Sequence, residues 1–401
     1  MSGSRRPAAR RGQLVPVLVG LLLGGCQADR IPAPAPGALV EQTLFTSGEG
    51  GYDTYRIPAL LTTQAGTALA FSEGRRNSRR DHGDIDILLR RSTDGGRTWS
   101  PPQVVVDLGP DTCGNPTAVE DRETGTVWLA FCWNLADDEE NLVIRGDSRD
   151  TRRAFVTASA DEGVNWSPPR EITEGVKSAE MRWYATGPGI GIQIRHGPDR
   201  GRLVVPGDHS YPASDGDLRG ARAAFGAHAI VSDDHGASWR LEGVIRPGVG
   251  EPQVAELADP PGRLLANLRS YAGRSRRAQA TSDDGGASWT APRDQRRLVE
   301  PVCQASLLRY SWPGEPTGDL LVFSNPASRR RENLVLRASA DGGASWPRAL
   351  VIHSGAAAYS CLARFPDGRI GCLYEGGDTD PYERIVLATL PVAALIGDGL
   401  R

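Results

Sequence analysis

Arginine dominates the residues of this sequence whose side chains could bind a charged ligand. The 401 residues include 46 lysines and arginines, of which Lys177 is the only lysine, against 49 acidic residues. A guanidinium group binds a carboxylate or a phosphate in a rigid bidentate geometry, but an arginine-rich genome gives the same count. Composition leaves both explanations open. The net charge of −3 comes without a polycationic segment, so we expect no nucleic-acid partner.

Cysteine and histidine show no spacing typical of a metal site. Five of the six cysteines follow residue 26 and are scattered singly, and an odd number cannot all pair. Their scatter argues against both a disulfide framework and a zinc site, so we expect them to be buried among apolar residues. The histidines, including His82, His209 and His228, also lack metal-ligand spacing. We therefore expect neither a metal nor a cofactor.

One turn pattern, Ser-x-Asp-x-Gly-x-x-Trp, occurs five times, beginning at Ser92, Ser159, Ser232, Ser282 and Ser339. In such a turn Asp accepts hydrogen bonds from backbone amides, Gly supplies a positive φ and Trp is an apolar anchor. The Asp-x-Gly step also resembles the start of a calcium loop. The carboxylates that would complete a calcium shell are missing, so we interpret the turns as structural.

The spacing of the five turns leaves room for one four-stranded unit each time. Short apolar runs bounded by Gly, Pro and Asp, such as Leu203 to Val205, predict the strands. Two further runs, Ile370 to Tyr374 and Ile385 to Leu390, predict a sixth unit that a strand near Leu44 would close. The sequence therefore predicts an all-β fold over residues 41–395, a six-bladed β-propeller with four antiparallel strands per blade.

The N-terminal residues predict export. Four arginines within the first 11 residues precede the apolar run Leu14 to Leu23, which is too short to span a bilayer. The following Gly24-Gly25-Cys26 resembles a bacterial lipobox, with a plain signal peptide as the alternative. We expect residues 1–25 to be a lipoprotein signal peptide. Residues 26–40 then comprise the lipidated Cys26 and a proline-rich tether.

Segments outside the turns resemble, in order, the motifs of bacterial exo-sialidases of glycoside hydrolase family 33, whose repeats are called Asp-boxes. The resemblance runs from about Leu44 to Leu390 and rests on six matches interleaved with the five turns. They are Tyr55-Arg56-Ile57-Pro58, Ser72-Glu-Gly-Arg75-Arg76 with the following Asp81-His-Gly-Asp84, Glu251-Pro-Gln-Val-Ala-Glu256 with Asn267-Leu-Arg269, Arg331-Glu-Asn-Leu, Tyr359-Ser-Cys-Leu and Leu373-Tyr-Glu375-Gly.

The resemblance implies that three arginines, Arg56, Arg269 and Arg331, bind the substrate carboxylate. It also implies that Glu375 orients Arg56 and that Arg75 or Arg76 is an additional substrate arginine. Sialic acid carries its carboxylate directly on the anomeric carbon, so an enzyme must hold a negative charge beside the reacting centre. Three guanidinium groups are suited to that task.

The same resemblance makes Tyr359 the nucleophile, Glu251 its base and Asp81 the acid and base at the leaving oxygen. A neutral phenol approaches an anionic substrate without the repulsion that a carboxylate meets, but its ordinary pKa near 10 requires an adjacent base. Such a reaction passes through a tyrosyl-enzyme intermediate and retains the anomeric configuration.

Three positions have close competitors. Glu256 competes with Glu251, which we favour because its distance from Arg269 suits the family pattern. Asp84 and Asp86 compete with Asp81, but they alternate with isoleucines as on a strand face, whereas Asp81 lies in the preceding loop. Arg75 and Arg76 are almost equal candidates.

The sequence therefore predicts a monomeric exo-α-sialidase that acts on sialylated glycans, glycoproteins or gangliosides. We expect it to be lipid-anchored at the bacterial cell surface through Cys26, or otherwise secreted, with no other membrane contact. Three alternatives stay open. They are a trans-sialidase, a hydrolase of a related 2-keto sugar acid, and a surface lipoprotein that binds sialoglycans without cleaving them.

Overall fold

The computed structural model describes residues 1–3, 31–35, 37–212 and 224–397. Contacts divide the chain into two units, Met1–Ile31 and Pro32–Arg401, and the fold described below is that of the second. Cys26 and nearly all of the predicted signal peptide lie outside the described residues. Within the ranges that are described, no helix is long and apolar enough to cross a membrane.

Nearly all of the regular secondary structure in the described part of the second unit is β-strand, with only three short helices, which confirms the all-β prediction. In chain order the strands are β1 (Val40–Thr46), β2 (Thr54–Thr62), β3 (Ala68–Arg75), β4 (Ile85–Ser92), β5 (Gln103–Val106), β6 (Thr112–Asp121), β7 (Thr126–Asn134), β8 (Arg153–Ser159), β9 (Arg170–Glu171), β10 (Tyr184–Thr186), β11 (Gly189–Ile190), β12 (Ile192–Gln193), β13 (Leu203–Ser210), β14 (Phe225–Ser232), β15 (Arg240–Ile245), β16 (Val249–Glu256), β17 (Leu264–Ser270), β18 (Arg276–Ser282), β19 (Arg293–Val299), β20 (Ser306–Ser311), β21 (Leu320–Pro326), β22 (Glu332–Ser339), β23 (Arg348–Arg364), β24 (Arg369–Gly377) and β25 (Arg384–Pro391). The helices are α1 (Glu140–Arg145), α2 (Thr173–Val176) and α3 (Val392–Ile396).

Strands that are neighbours in sequence are mostly antiparallel neighbours in a sheet. One sheet has the order β2-β3-β4-β6-β7-β8-β9, with β5 beside β4 and β11 beside β6, and another is β16-β17-β18-β19. A third is β10-β13-β14-β15 with β12 beside β13. The fourth, β1-β25-β24-β23-β22-β21-β20, pairs the first strand with the last, and Val40 lies opposite Thr389. Because β1 contains Leu44, the strand predicted near that residue is present, and it pairs with the last strand, β25.

The five Ser-x-Asp-x-Gly-x-x-Trp turns connect equivalent strands. They follow β4, β8, β14, β18 and β22, and each leads into the next antiparallel strand. In the last turn Ser339 Oγ donates to Asp341 at 2.7 Å and accepts the Gly343 N–H at 2.9 Å. Trp346 is 1% exposed and packs on Phe323 with ring centroids 5.5 Å apart. The carboxylate is therefore used inside its own turn, as the structural interpretation requires.

The core lies between the sheets, because many strands are buried on both faces. All eight residues of β13 are buried, and so are all eight of β16. The five cysteines that the structure describes are buried and unpaired, as expected from their scatter. Polar side chains on such buried strands are expected to have hydrogen-bond partners, and those partners fix their positions.

Candidate active site

Glu375 joins two strands at the centre of the site. Its carboxylate lies on β24 and is fully buried, and it accepts Arg56 Nε and Nη2 at 3.0 and 3.2 Å. The same carboxylate accepts the backbone N–H of Ile57 on β2 at 2.9 Å and that of Tyr359 on β23 at 3.1 Å. Both Arg56 and Tyr359 are therefore held by one anion, which agrees with the orienting role expected for Glu375.

Tyr359 forms a hydrogen-bonded set with Glu251 and Arg269. The Tyr359 hydroxyl donates to Glu251 Oε1 in a short hydrogen bond. Arg269 Nη1 donates to Glu251 Oε2 at 2.6 Å and to the Tyr359 oxygen at 3.2 Å. Glu251 has a φ of 35°, at a register shift between β16 and β17 that turns its side chain out of the regular ladder. A buried phenol thus has a carboxylate acceptor and a guanidinium donor at its oxygen.

The surroundings of Tyr359 favour its neutral form. Burial is the largest effect that raises its pKa well above the ordinary value, and the nearby Glu251 carboxylate adds to it. Arg269 and Arg331 oppose that shift without cancelling it. The hydroxyl therefore needs a base to become a nucleophile, and the Glu251 carboxylate is already in contact with its proton.

Three guanidinium groups surround the Tyr359 ring. The Cζ atoms of Arg56 and Arg331 lie 5.1 and 5.4 Å from its ring centroid, and Arg269 contacts its oxygen. Arg331 Nη1 also donates to the Tyr382 hydroxyl. The structure thus brings together the three arginines that sequence comparison selected. Their convergence beside a phenol creates a site for a small carboxylate.

Asp81 lies in the loop between β3 and β4, at the mouth of the site. Its carboxylate is 57% exposed and binds Arg75 Nη2 at 2.8 Å and Arg56 Nη1 at 3.2 Å. The surrounding cavity walls reduce the hydration of the carboxylate, which favours the neutral acid, but Arg75 and then Arg56 outweigh this effect and hold the pKa of Asp81 below its usual range. The competing Asp84 and Asp86 face away and pair with Arg76 instead.

Of the two adjacent arginines, Arg75 belongs to the site and Arg76 does not. Arg75 is 2% exposed, lines the cavity and is fixed by Glu73, whose Oε2 accepts its Nη2 at 2.6 Å. Successive residues at a strand end point in opposite directions, and Arg76 points to Asp86 and stacks on Tyr52 at 4.8 Å. The structure therefore places Arg75 in the lining of the cavity around Tyr359 and directs Arg76 to the other side of the strand.

The side chain of Glu256, the competitor of Glu251, lies outside the cavity around Tyr359. Its carboxylate accepts the backbone N–H groups of Arg195 and His196 at 2.7 and 2.9 Å. It lines a second cavity, of about 430 Å³, whose lining has no residue in common with the cavity around Tyr359. The structure therefore favours Glu251 as the partner of the phenol.

The cavity around Tyr359 has a volume of about 460 Å³, enough for a monosaccharide. Its lining also contains residues that sequence reasoning did not select, among them Glu140, Arg152, Trp183, Asp208 and Tyr271. Two of these residues carry a signal in the sequence, since Trp183 is an aromatic residue of the kind that lines sugar sites and Asp208 is an acid inside an apolar strand.

Two of these acids have raised pKa values. Burial, followed by Asp81, raises the pKa of Glu140 to about 6. Burial, followed by Glu251, raises that of Asp208 well above its ordinary value. Among the residues that the structure describes, no group of His, Cys, Asp and Glu is arranged to hold a metal ion. The arrangement is suited to binding an anion between guanidinium groups and to moving a proton from a phenol to a carboxylate.

Comparison with known proteins identifies relatives that share this architecture. The BNR repeat-like domain family matches residues 66–372. A sialidase of Micromonospora viridifaciens is 36% identical in an alignment of 397 positions, and the match covers 94% of this chain and 59% of that protein. This chain therefore spans about three fifths of the length of that relative.

Solved structures of sialidases are also similar to this chain. A Hadza microbial sialidase is 31% identical with a TM-score of 0.75, covering 89% of this chain and 69% of that one. A leech intramolecular trans-sialidase has a TM-score of 0.73 and covers 90% of this chain and 71% of its own. At 21% identity the leech protein shows a common fold only.

Proposed function

Since the chain belongs to the family of BNR-repeat sialidases, we propose that it is an exo-α-sialidase that releases terminal α-ketosidically linked sialic acid from glycoconjugates. The observation that carries the proposal is the contact of the buried Tyr359 hydroxyl with Glu251, inside a ring formed by Arg56, Arg269 and Arg331. A protein that only bound sialoglycans would need the arginines but not a phenol with its own base.

In the proposed reaction, the three arginines bind the substrate carboxylate and so place the anomeric carbon over Tyr359. Glu251 takes the phenolic proton as the tyrosine oxygen attacks that carbon, and the bond to the leaving sugar breaks. Asp81, at the mouth, gives a proton to the leaving oxygen. Tyrosine is the nucleophile that sialidases use where other retaining glycosidases use a carboxylate.

The second half of the reaction reverses these roles. Asp81 takes a proton from an incoming water, which attacks the anomeric carbon of the tyrosyl-enzyme intermediate. The bond to Tyr359 breaks and the phenolate recovers its proton from Glu251. Two displacements at one carbon give retention of configuration.

We also propose that the four sheets divide into the six blades of a β-propeller. Each of the five turns joins the third and fourth strands of one antiparallel unit, which supports five blades. The long strand β23 pairs with β22 along one part and with β24 along another, so it can serve both the fifth and the sixth blades. The pairing of β1 with β25 supports closure of the sixth.

For location and partners, we propose a lipid anchor at Cys26 of an exported, monomeric enzyme that acts on sialylated glycoproteins or gangliosides. The support is the sequence pattern around Cys26 alone. Replacing Cys26 by Ser should move the protein from the membrane fraction to the soluble exported fraction of a bacterial host. Unchanged membrane association would contradict the anchor.

The decisive test of the activity is Tyr359→Phe, which removes one oxygen and keeps the ring. Release of sialic acid from an aryl sialoside should fall by at least about 10³-fold, because the nucleophile is lost. Tyr310→Phe is the matched control. Its hydroxyl donates to the Gly368 carbonyl at 2.6 Å, away from the Tyr359 cavity, so turnover should stay within about threefold.

Substrate panels decide between the alternatives. Free sialic acid released from α2,3-, α2,6- and α2,8-linked donors supports hydrolysis, whereas a sialylated product formed on added lactose indicates a trans-sialidase. Binding without release indicates a lectin-like protein. Full activity of Tyr359→Phe would refute the proposed mechanism.

A further inference from the structure

A second cavity follows the strands that build the cavity around Tyr359, toward the ends where those strands finish. Strand β2 contributes Arg56 to the cavity around Tyr359 and Leu60 to the second cavity, and β23 contributes Tyr359 and then Leu362. The second cavity has a volume of about 430 Å³, close to the 460 Å³ of the first. Among the described residues none lines both, so a ligand in the second cavity leaves the Tyr359 hydroxyl untouched.

Glu256 fixes the backbone at one wall of the second cavity. Its side chain is buried, and its carboxylate accepts the backbone N–H groups of Arg195 and His196 at 2.7 and 2.9 Å. The Nδ1 atom of His196 lies 3.0 Å from the same carboxylate. The backbone carbonyl of Glu256 accepts Arg309 Nε at 2.9 Å. A single buried residue thus positions two arginines that line the cavity.

Trp312, which directly follows β20, is the surface against which these side chains pack. The Cζ atoms of Arg309 and Arg195 lie 4.7 and 5.9 Å from its ring centroid. The His196 ring packs edge to face at 4.4 Å. Contacts between a guanidinium and an aromatic ring are attractive at such distances. The two guanidinium groups are therefore held close together in the cavity wall.

Arg195 differs from the other arginines of this lining, which all have an acidic partner. Those pairs are Arg122 with Glu120 at 3.8 Å, Arg364 with Glu315 at 2.7 Å, and Arg309 with Asp319. Over the ranges that the structure describes, the Arg195 guanidinium forms no salt bridge and no hydrogen bond, and its contact is with Trp312. Loss of hydration, followed by the charge of Arg122, lowers the pKa of Arg195, and nearby glutamates offset this only in part. An anion bound at Arg195 would relieve both effects.

The other lining residues define the kind of anion. Glu120 and Glu315 face the same cavity and repel a dianion such as phosphate more strongly than a monoanionic carboxylate. Their carboxylates also accept hydrogen bonds from hydroxyl groups. The half-buried Leu61 and Leu308 add apolar surface for carbon atoms. The volume is enough for a monosaccharide.

We propose that the second cavity is a binding site for a sugar acid, whose carboxylate is held by Arg195 and whose hydroxyl groups face Glu120 and Glu315. A free sialic acid and a uronic acid both supply this chemistry. The inference goes beyond the proposed function and does not depend on it, because the ligand need not be a substrate of the cavity around Tyr359.

The test is a set of titrations followed by ligand-observed NMR, with D-glucuronate, D-glucose and inorganic phosphate as probes. Glucuronate should bind with a Kd of about 1 mM, which is usual for a ligand of its size. Glucose and phosphate should bind at least about tenfold more weakly, since one lacks the charge and the other carries too much of it. Arg195→Met should raise the Kd for glucuronate by about 10- to 100-fold.

Arg200→Met is the matched control, because it makes the same change five residues further along the chain. Arg200 is exposed and lines neither cavity, so the Kd for glucuronate should change by less than about threefold. Arg195→Lys keeps the charge and loses the bidentate geometry. Should Arg195→Met fold poorly, Arg195→Lys supplies the same comparison with a smaller rise in Kd.

Arg331→Met separates the two cavities, because it removes a guanidinium from the cavity around Tyr359 and leaves the second cavity unchanged. Glucuronate should bind this variant as it binds the unmodified protein. Titration of N-acetylneuraminate into Arg331→Met then compares the two sources of a sugar acid, and the tighter ligand names the source.

Weaker binding of glucuronate in Arg195→Met, with unchanged binding in Arg200→Met, supports the inference. Binding that persists in Arg195→Met but is lost in Arg331→Met places the sugar acid beside Tyr359 and overturns it. Glucose or phosphate binding as tightly as glucuronate, or no binding of either sugar acid, also overturns it. Turnover of an aryl sialoside is measured separately, so these results leave the proposed function standing.

Discussion

Replacing Glu375 by Gln tests whether one buried carboxylate organises the site. The change keeps the shape of the side chain but removes its charge and one acceptor oxygen. Glu375 accepts four N–H groups, two from Arg56 and one each from the backbones of Ile57 and Tyr359. Glutamine has a single carbonyl oxygen, so its amide NH₂ would face two of these donors without an acceptor.

The expected loss of stability follows from the burial of the pair. Glu375 is fully buried and Arg56 is 5% exposed, so the substitution leaves a buried guanidinium with a weaker partner. Breaking such a pair costs about 3–5 kcal/mol. Part of the Arg56 charge is still balanced by Asp81 at 3.2 Å, which favours the lower end of this range. A domain of ordinary stability, about 5–15 kcal/mol, should therefore remain folded.

A variant that is less stable but still folded would keep its activity if the site were undisturbed. For Glu375→Gln we expect a direct loss of activity as well. Arg56 loses its orientation and the Tyr359 backbone loses an anchor, and a misplacement of about 1 Å costs roughly 10²-fold in rate. We expect kcat/KM on an aryl sialoside to fall by about that factor, with urea unfolding at the same pH reporting the stability.

Glu300→Gln provides the control for destabilisation without damage to the site. Glu300 forms an equally buried pair with Arg277 at 3.0 Å and does not line the Tyr359 cavity. It should lose comparable stability and keep kcat/KM within about threefold. Equal loss of activity in the two variants, or full activity in Glu375→Gln, would refute the reasoning.

Two further predictions concern stability. His209 and His228 are buried with their Nδ1 atoms 3.0 Å apart, so one must donate and the other accept, and burial lowers the pKa of His209 to about 4. The folded pKa lies below the unfolded value, so neutral His209 contributes its full share to the free energy of unfolding above about pH 6.5. That contribution, about 3 kcal/mol, is lost as the pH falls toward 4. Urea midpoints should fall over this range less steeply for His209→Asn than for the unmodified protein, and identical slopes would contradict the assignment. Chelation is expected to leave the unfolding temperature unchanged, because turn carboxylates such as Asp94 already accept the N–H and hydroxyl of Thr98; a fall on adding EDTA that calcium reverses would revive a calcium role.

The repeated turns could be predicted from the sequence because each is stabilised by contacts between residues that are close together in the chain. Each Ser-x-Asp-x-Gly-x-x-Trp turn is held by hydrogen bonds that span two to four residues, such as Ser339 to Asp341 and Gly343 to Ser339. Sequence alone can therefore recognise them.

The site was predictable only where a residue lies inside a recognisable motif. Arg75 and Arg76 are neighbours in one motif, and the sequence could not separate them. The pairing of β3 with β4 decides the matter, because it turns Arg75 toward Glu73 and Arg76 toward Asp86. Arg152 lies in no motif, and its contact with Asn115 joins positions far apart in the chain. Such contacts depend on the completed sheets.

Within the protein, the three arginines of the proposed carboxylate site have unequal numbers of carboxylate partners. Arg269 is paired with Glu251, and Arg56 with Glu375 and Asp81. Arg331 forms no salt bridge in the part of the chain that is described and has the Tyr382 hydroxyl as its hydrogen-bond partner. On the proposed function, the substrate carboxylate forms a salt bridge with Arg331 and competes with Asp81 for Arg56.

That competition links binding to proton transfer. Arg75 and Arg56 hold the pKa of Asp81 below its usual range, which favours the ionised carboxylate. In that form Asp81 has no proton to give to a leaving group. A carboxylate bound at Arg56 both withdraws part of that positive charge and adds a negative charge nearby. Each change raises the pKa of Asp81. On the proposed function, the carboxylate of the substrate therefore also raises the pKa of the acid that protonates the leaving group.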